Sequence, residues 1–173
     1  MIKIAATSCL PLALGTAALL LAAPASAAEM ASAQSRAIVV GPMTLVNTGA
    51  LSFGSFGAGA SPGTVIINPD NGARSVTGGV VPLGGDISAA GFTGYTSGST
   101  HVKVNVPKTS VALTRVGGTE TMSITGFTVD GGKNQKFPVD QVFTFQVGGT
   151  LQVAPNQADG VYEGSFVVTA EYQ

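Results

Sequence analysis

Side chains able to do chemistry are few in this sequence. His101 is the only histidine and Cys9 the only cysteine. Any base-assisted nucleophile would have to use His101. It lies on the polar face of the alternating run His101-Val102-Lys103-Val104-Asn105, which marks an exposed strand position. Gly59-Ala60-Ser61-Pro62-Gly63 matches the G-x-S-x-G elbow that presents a serine nucleophile. That elbow requires a sharp turn from strand into helix, whereas Pro62 follows the serine and strand-like Thr64-Val65-Ile66-Ile67 comes next. Zinc asks for three or four nitrogen- or sulfur-rich ligands, more than this composition supplies. Asp70-Asn71-Gly72 and Asp130-Gly131-Gly132 each offer a single carboxylate without the spacing of a calcium loop, and they read as turns. No lysine follows the glycine-rich stretch 54–63, so it is not a phosphate loop. Asp159 and Glu163 are close enough in sequence to meet in space, and Phe92 with Tyr95 could stack on a sugar. None of these patterns amounts to a reaction centre. The sequence predicts a protein that is not an enzyme and holds no cofactor and no metal.

The charge balance excludes other classes. Eight basic residues against nine acidic ones, with only 10% of residues charged, give no basic face for nucleic acid. Hydrophobic residues make up 45% of the chain, which argues against disorder. The mean hydropathy of +0.38 is inflated by the N-terminus. Met1-Ile2-Lys3 is a short positive start, Ile4 to Ala23 carries no charge, Pro24 breaks the run, and Ala25-Ser26-Ala27 is an A-x-A exit. Residues 1–27 are read as a cleaved signal helix rather than a membrane anchor, with Ala31-Ser32-Ala33 as a second cleavage option. Cys9 precedes most of the apolar run and leaves with it. No later segment has spanning length, so the mature form is expected to have no membrane span and to be exported.

Beyond Ala28 the periodicity is two, not three and four. Val102, Val104 and Val106 alternate with His101, Lys103 and Asn105; Phe143, Phe145 and Val147 alternate with Thr144 and Gln146; Val111 and Leu113 alternate with Ala112 and Thr114. Met122 and Ile124 are in phase, while Phe127 and Val129 are shifted by one, which predicts a bulge at Gly126. Pro69-Asp70-Asn71-Gly72 predicts a hairpin between Thr64–Ile67 and a strand near Val76. Further turns are expected at Gly84-Gly85, Ser97-Gly98, Gly117-Gly118, Gly131-Gly132 and Gly148-Gly149, and Gly54 to Gly63 reads as a long flexible connection. Breaks this frequent suit a sandwich of many short strands.

The two ends carry the most specific pattern. Tyr162, Gly164, Phe166, Val168, Ala170 and Tyr172 share one face of an uninterrupted alternation, opposite Glu163, Ser165, Val167, Thr169 and Glu171. Near the N-terminus Ala31, Ala33, Ser35, Ala37, Val39, Met43 and Leu45 share a side, with Gly41 between, and Ser32, Gln34 and Arg36, then Ile38 and Val40, lie opposite. Such an extension can be an edge strand of its own domain, or it can be lent to a neighbour.

The closing run Gly160-Val161-Tyr162-Glu163-Gly164-Ser165-Phe166-Val167-Val168-Thr169-Ala170-Glu171-Tyr172-Gln173 resembles the C-terminal strand of chaperone–usher pilins and spore-coat-U-like domains. With Leu51-Ser52-Phe53-Gly54 and Val147-Gly148-Gly149-Thr150-Leu151, the chain more closely resembles the secreted, pilin-like domain-of-unknown-function family 4402, over most of residues 37–173. The resemblance implies an incomplete immunoglobulin-like sandwich whose missing strand comes first from a periplasmic chaperone and then from the next subunit, delivered by an outer-membrane usher. On that pattern Phe166, Val168, Ala170 and Tyr172 would line the groove, and Ala33, Ala37, Val39, Gly41, Met43 and Leu45 would belong to the donor. The mature chain lacks the disulfide that many such pilins carry.

The expected architecture is thus an all-β, immunoglobulin-like (pilin-like) antiparallel β-sandwich behind a cleaved N-terminal signal helix. Residues 1–27 form the signal, 28–46 the extension and 47–173 a single domain. Two functions remain open at this point. One is a structural subunit of a fimbria-like surface fibre whose partners are copies of itself or related subunits. The other is a self-complete secreted sandwich in which residues 37–46 pair within the chain, acting as an adhesin-like module that could bind glycans.

Overall fold

Alternating strands bury one face only if a second layer covers it, and that requirement organises this chain. The computed structural model describes residues 43–97 and 101–173, all within one compact unit. Eleven strands are present among them: β1 (Thr44–Gly49), β2 (Ser52–Ile67), β3 (Arg74–Ser88), β4 (Ala90–Tyr95), β5 (His101–Asn105), β6 (Val111–Arg115), β7 (Thr121–Val129), β8 (Asn134–Lys136), β9 (Val142–Val153), β10 (Tyr162–Glu163) and β11 (Thr169–Tyr172). All pairings are antiparallel. One sheet runs β1-β4-β9-β7-β6-β10, with β2 joined to β9 and β3 to β2; the smaller sheet runs β11-β5-β8. The result is the expected all-β, sandwich-like arrangement.

Strand β9 is the hub. One edge pairs first with β4, over Val142–Val147, and then with β2, over Gly149–Val153. The other edge pairs with β7. The handover between β4 and β2 falls at Gly148, where a side chain would run into the carbonyl oxygen of Ile67 and lie 2.8 Å from Cδ of Pro69. Gly148-Gly149 is therefore not the turn expected from its sequence. It is a strand interior where two backbones approach too closely for a Cβ.

Inward faces match the alternation. Val102 and Val104 of β5, and Phe143, Phe145 and Val147 of β9, are buried, while His101, Lys103, Thr144 and Gln146 are exposed. Phe145 stacks on Phe92 at 5.3 Å between ring centroids, and Phe143 on Phe137 at 4.3 Å. Met122, Ile124, Phe127 and Val129 all reach the core because the β7–β9 register slips between Thr125 and Thr128, with Gly126 at φ +58°. The bulge predicted at Gly126 is present. So is the hairpin after Ile67, as the six-residue turn Asn68–Ala73, pinned by Asn68 Oδ1 accepting from Asp70 N and Asn71 Oδ1 from Ala73 N.

Two further expectations need correction. Gly54 to Gly63 is not a flexible connection but the first part of β2, paired with β3. Register shifts at Phe53/Ser55, Ser55/Phe56 and Ala58/Gly63 let it follow an irregular partner. Glycines allow the contact: a Cβ on Gly63 would strike Thr77 O, and one on Gly78 would strike Pro62 O. Arg74 holds the irregular stretch, its Nη1 donating to the carbonyls of Phe53 (3.0 Å), Ser55 (3.0 Å) and Gly84 (3.3 Å). The second correction concerns the C-terminal run, which is not one strand. Tyr162–Glu163 pairs with β6, Thr169–Tyr172 pairs with β5, and residues 164–168 cross from one sheet to the other.

Candidate functional groove

A sheet that buries one face needs a second layer over that face. A groove of about 880 Å3 opens beside the C-terminal crossing segment. Its floor is the inward face of the large sheet: Phe92 of β4, Leu113 of β6, Met122 and Ile124 of β7, and Leu151 of β9. One wall is Ala50–Phe56 together with Ala58, from the β1–β2 link and the start of β2; the other is Gln157–Phe166.

Both walls present strand edges. Ser52–Ala58 pairs with β3 on one side and has no ladder partner on the other among the described residues, because β2 meets β9 only from Gly63 onward. On the other wall Gly164–Phe166 have no ladder partner, and β10 pairs only with β6, among the described residues. Backbone without ladder partners beside an apolar slot is the geometry into which an extended peptide can pair.

The far wall is held rigidly. The Tyr162 hydroxyl donates to Ala158 O at 2.8 Å and accepts from Gln157 Nε2 at 2.7 Å, closing a small loop that carries Asp159 and Gly160. Gly164 passes so close to β6 that a Cβ would lie 2.6 Å from Ala112 O. Phe166 packs on Phe127 at 4.9 Å. At the other end the Tyr172 hydroxyl accepts from Ser97 N at 2.7 Å. Nearby, β6 and β7 are clamped by a two-pronged ion pair: Arg115 Nε donates to Glu120 Oε2 at 2.7 Å and Nη2 to Oε1 at 3.0 Å. The guanidinium holds the Glu120 carboxyl well below the usual range, at about 2.

The sequence-derived candidates divide. Tyr162, Gly164 and Phe166 line the groove, whereas Val168, Ala170 and Tyr172 lie beyond it, on the segment that joins the small sheet. Ala33, Ala37, Val39 and Gly41 fall outside the described residues. Met43 and Leu45 pack against the chain's own core, and Leu45 lies in β1 opposite Gly94 of β4. Ser61 sits in the β2 bulge, Asp70 and Asp130 beside turns, and Phe92 faces the core rather than solvent. Among the described residues no group of three or more His, Cys, Asp or Glu is placed to hold a metal ion, and no helix is long and apolar enough to cross a membrane.

Phe53, Phe56, Leu113 and Asp86 line the groove without having been site candidates in the sequence, where Phe53 figures only in a family motif and Leu113 only in an alternation. A signal existed for the first two. Phe53 and Phe56 are out of phase for one strand unless the chain slips between them, and Gly54 (φ +70°) is where it slips.

Residues 43–172 match the family described as Domain of unknown function (DUF4402), and the chain belongs to that family. No curated protein and no solved structure matches it.

Proposed function

We propose that the chain is a secreted, non-enzymatic structural subunit of a fimbria-like surface fibre, assembled by strand donation. The observation that supports this reading is the groove: a buried apolar floor between two walls whose backbone, among the described residues, lacks a ladder partner on at least one side. An inserted peptide would gain backbone hydrogen bonds along both walls and bury alternate side chains on the floor. The donor is the alternating segment 28–42 of a second copy. From Thr44 onward the chain is engaged with its own β4. Head-to-tail donation does not close on itself and so builds fibres. A signal-directed route through a periplasm, with a chaperone shielding the groove and an usher at the outer membrane, completes the proposal. The test is to express the full chain with its leader and the cell's own export machinery, then run surface extracts unboiled on a denaturing gel. A ladder of multimers that collapses on boiling is expected, and deletion of residues 28–42 should abolish it. A lone monomer band sinks the reading.

The intra-chain pairing of β1 with β4 favours a second reading, a self-complete surface binding module for neutral glycans. A purified monomer that unfolds cooperatively and gains no stability from an added peptide of residues 30–42 would support it over fibre assembly.

A further inference from the structure

Apolar floors and bare strand edges provide affinity but little register, because a small-residue strand can slide by two residues at modest cost. The groove carries a feature that would stop such sliding. Three charged side chains line it, all exposed carboxylates: Asp86 on β3, Asp159 in the Tyr162-closed loop and Glu163 on β10. Among the described residues no lysine or arginine lines it. The described cations are engaged or placed elsewhere. Arg74 donates to backbone carbonyls and Arg115 to Glu120. Lys103 and Lys136 lie on β5 and β8, and Lys108 and Lys133 in the links beside them.

Between Met30 and Pro42 the sequence holds one charged residue, Arg36. It shares a face with Ser32, Gln34, Ile38 and Val40 and alternates against Ala33, Ser35, Ala37 and Val39. An inserted strand must turn one of these two faces to the apolar floor. Burying an unpaired guanidinium there would be costly, so the Ala33–Val39 face goes inward and Arg36 outward, toward the rim. Lengths agree. At about 3.3 Å per residue, Ser52–Ala58 presents an edge of roughly 23 Å and residues 30–42 reach roughly 43 Å, enough to fill the slot and still connect to β1 of the donor copy.

Resting on the strand-donation reading, we propose that Arg36 is the register anchor of assembly. Its guanidinium docks on the Asp86, Asp159 and Glu163 rim of the next copy and fixes which residues of the donor meet the floor. A planar, always-charged fork suits a site of several carboxylates better than lysine does.

A charge swap tests it on the full chain. One variant carries Arg36→Glu; the other carries Asp86→Lys, Asp159→Lys and Glu163→Lys together. Circular dichroism melts of each confirm folding. Expressed alone, each is expected to lose the unboiled ladder at least tenfold. Co-expressed, they are expected to restore it as an alternating copolymer, since the carboxylate introduced in the first variant's donor then meets a lysine rim, and the second variant's Arg36 an acidic one. Full laddering by Arg36→Glu alone, or no rescue from two folded variants together, overturns the anchor while leaving strand donation standing. Absence of a ladder in the unsubstituted chain overturns both.

Discussion

The two ends of the large sheet are built from the same kinds of residue and finished differently. Around the first half of β9, Phe145, Phe143 and Phe137 form a continuous stack that ends on Phe92, which also lines the groove, and Val104 is buried with them in the same core. Around β6 and β7, Leu113, Met122 and Ile124 are as apolar and as buried but line the groove. The difference lies in the cover, not in the floor. On the strand-donation reading the β9 flank is closed within one copy, whereas the groove flank is left open for another peptide to stabilise.

Substitutions can break this comparison in a graded order. Phe145→Ala, at a side chain 2% exposed, should cost about 3–5 kcal/mol, read as a lower denaturant midpoint, with no dependence on donor peptide. Gly148→Ala forces a Cβ against Ile67 O where β4 and β2 meet, and should cost about 1–3 kcal/mol in the same measurement. Phe166→Ala, in the groove wall, should cost less, about 1–2 kcal/mol, because that ring is half-buried and pairs only with Phe127 among the described rings. On the strand-donation reading its effect should grow when donor peptide is present; an equal loss with and without peptide would show that the open flank is only a weaker core. The smallest effect concerns the Arg115–Glu120 clamp. A carboxyl lowered to about 2 in the folded state contributes stability that is present above its ordinary value near 4.5 and is lost as pH falls toward 2. Melting temperature measured from pH 6 to pH 2 should therefore fall more steeply in the unsubstituted chain than in Glu120→Gln, and parallel curves would show that the exposed pair contributes nothing.

Much of the closed flank was legible in the sequence because period-two alternation is a local property. Val102 and Val104, Phe143 to Val147, and the slip at Gly126 needed only a few neighbouring residues to be read. Family membership was legible too, in the glycine and tyrosine positions of residues 147–173. What failed depended on partners distant in the chain. Gly54 to Gly63 looks like a linker until β3 is placed beside it, and Gly148-Gly149 looks like a turn until Ile67 and Pro69 press against it. The C-terminal alternation from Tyr162 to Tyr172 is unbroken in sequence yet serves two sheets, a change of allegiance that side-chain period cannot signal. The groove itself is a relation between β2 and the residues after Asn156, roughly a hundred positions apart, and its acidic rim joins Asp86 to Asp159 and Glu163 in the same way.

The crossing segment 164–168 also has a mechanical meaning. It ties the two sheets by main-chain covalent bonds, so a pull that separates them is borne first by the ladders at its two ends. Those ladders are unequal: two residues at β10 against four at β11, the latter backed by the Tyr172 hydroxyl. Under load β10 should peel from β6 first, turning a fixed strap into a slack tether while β11 stays attached.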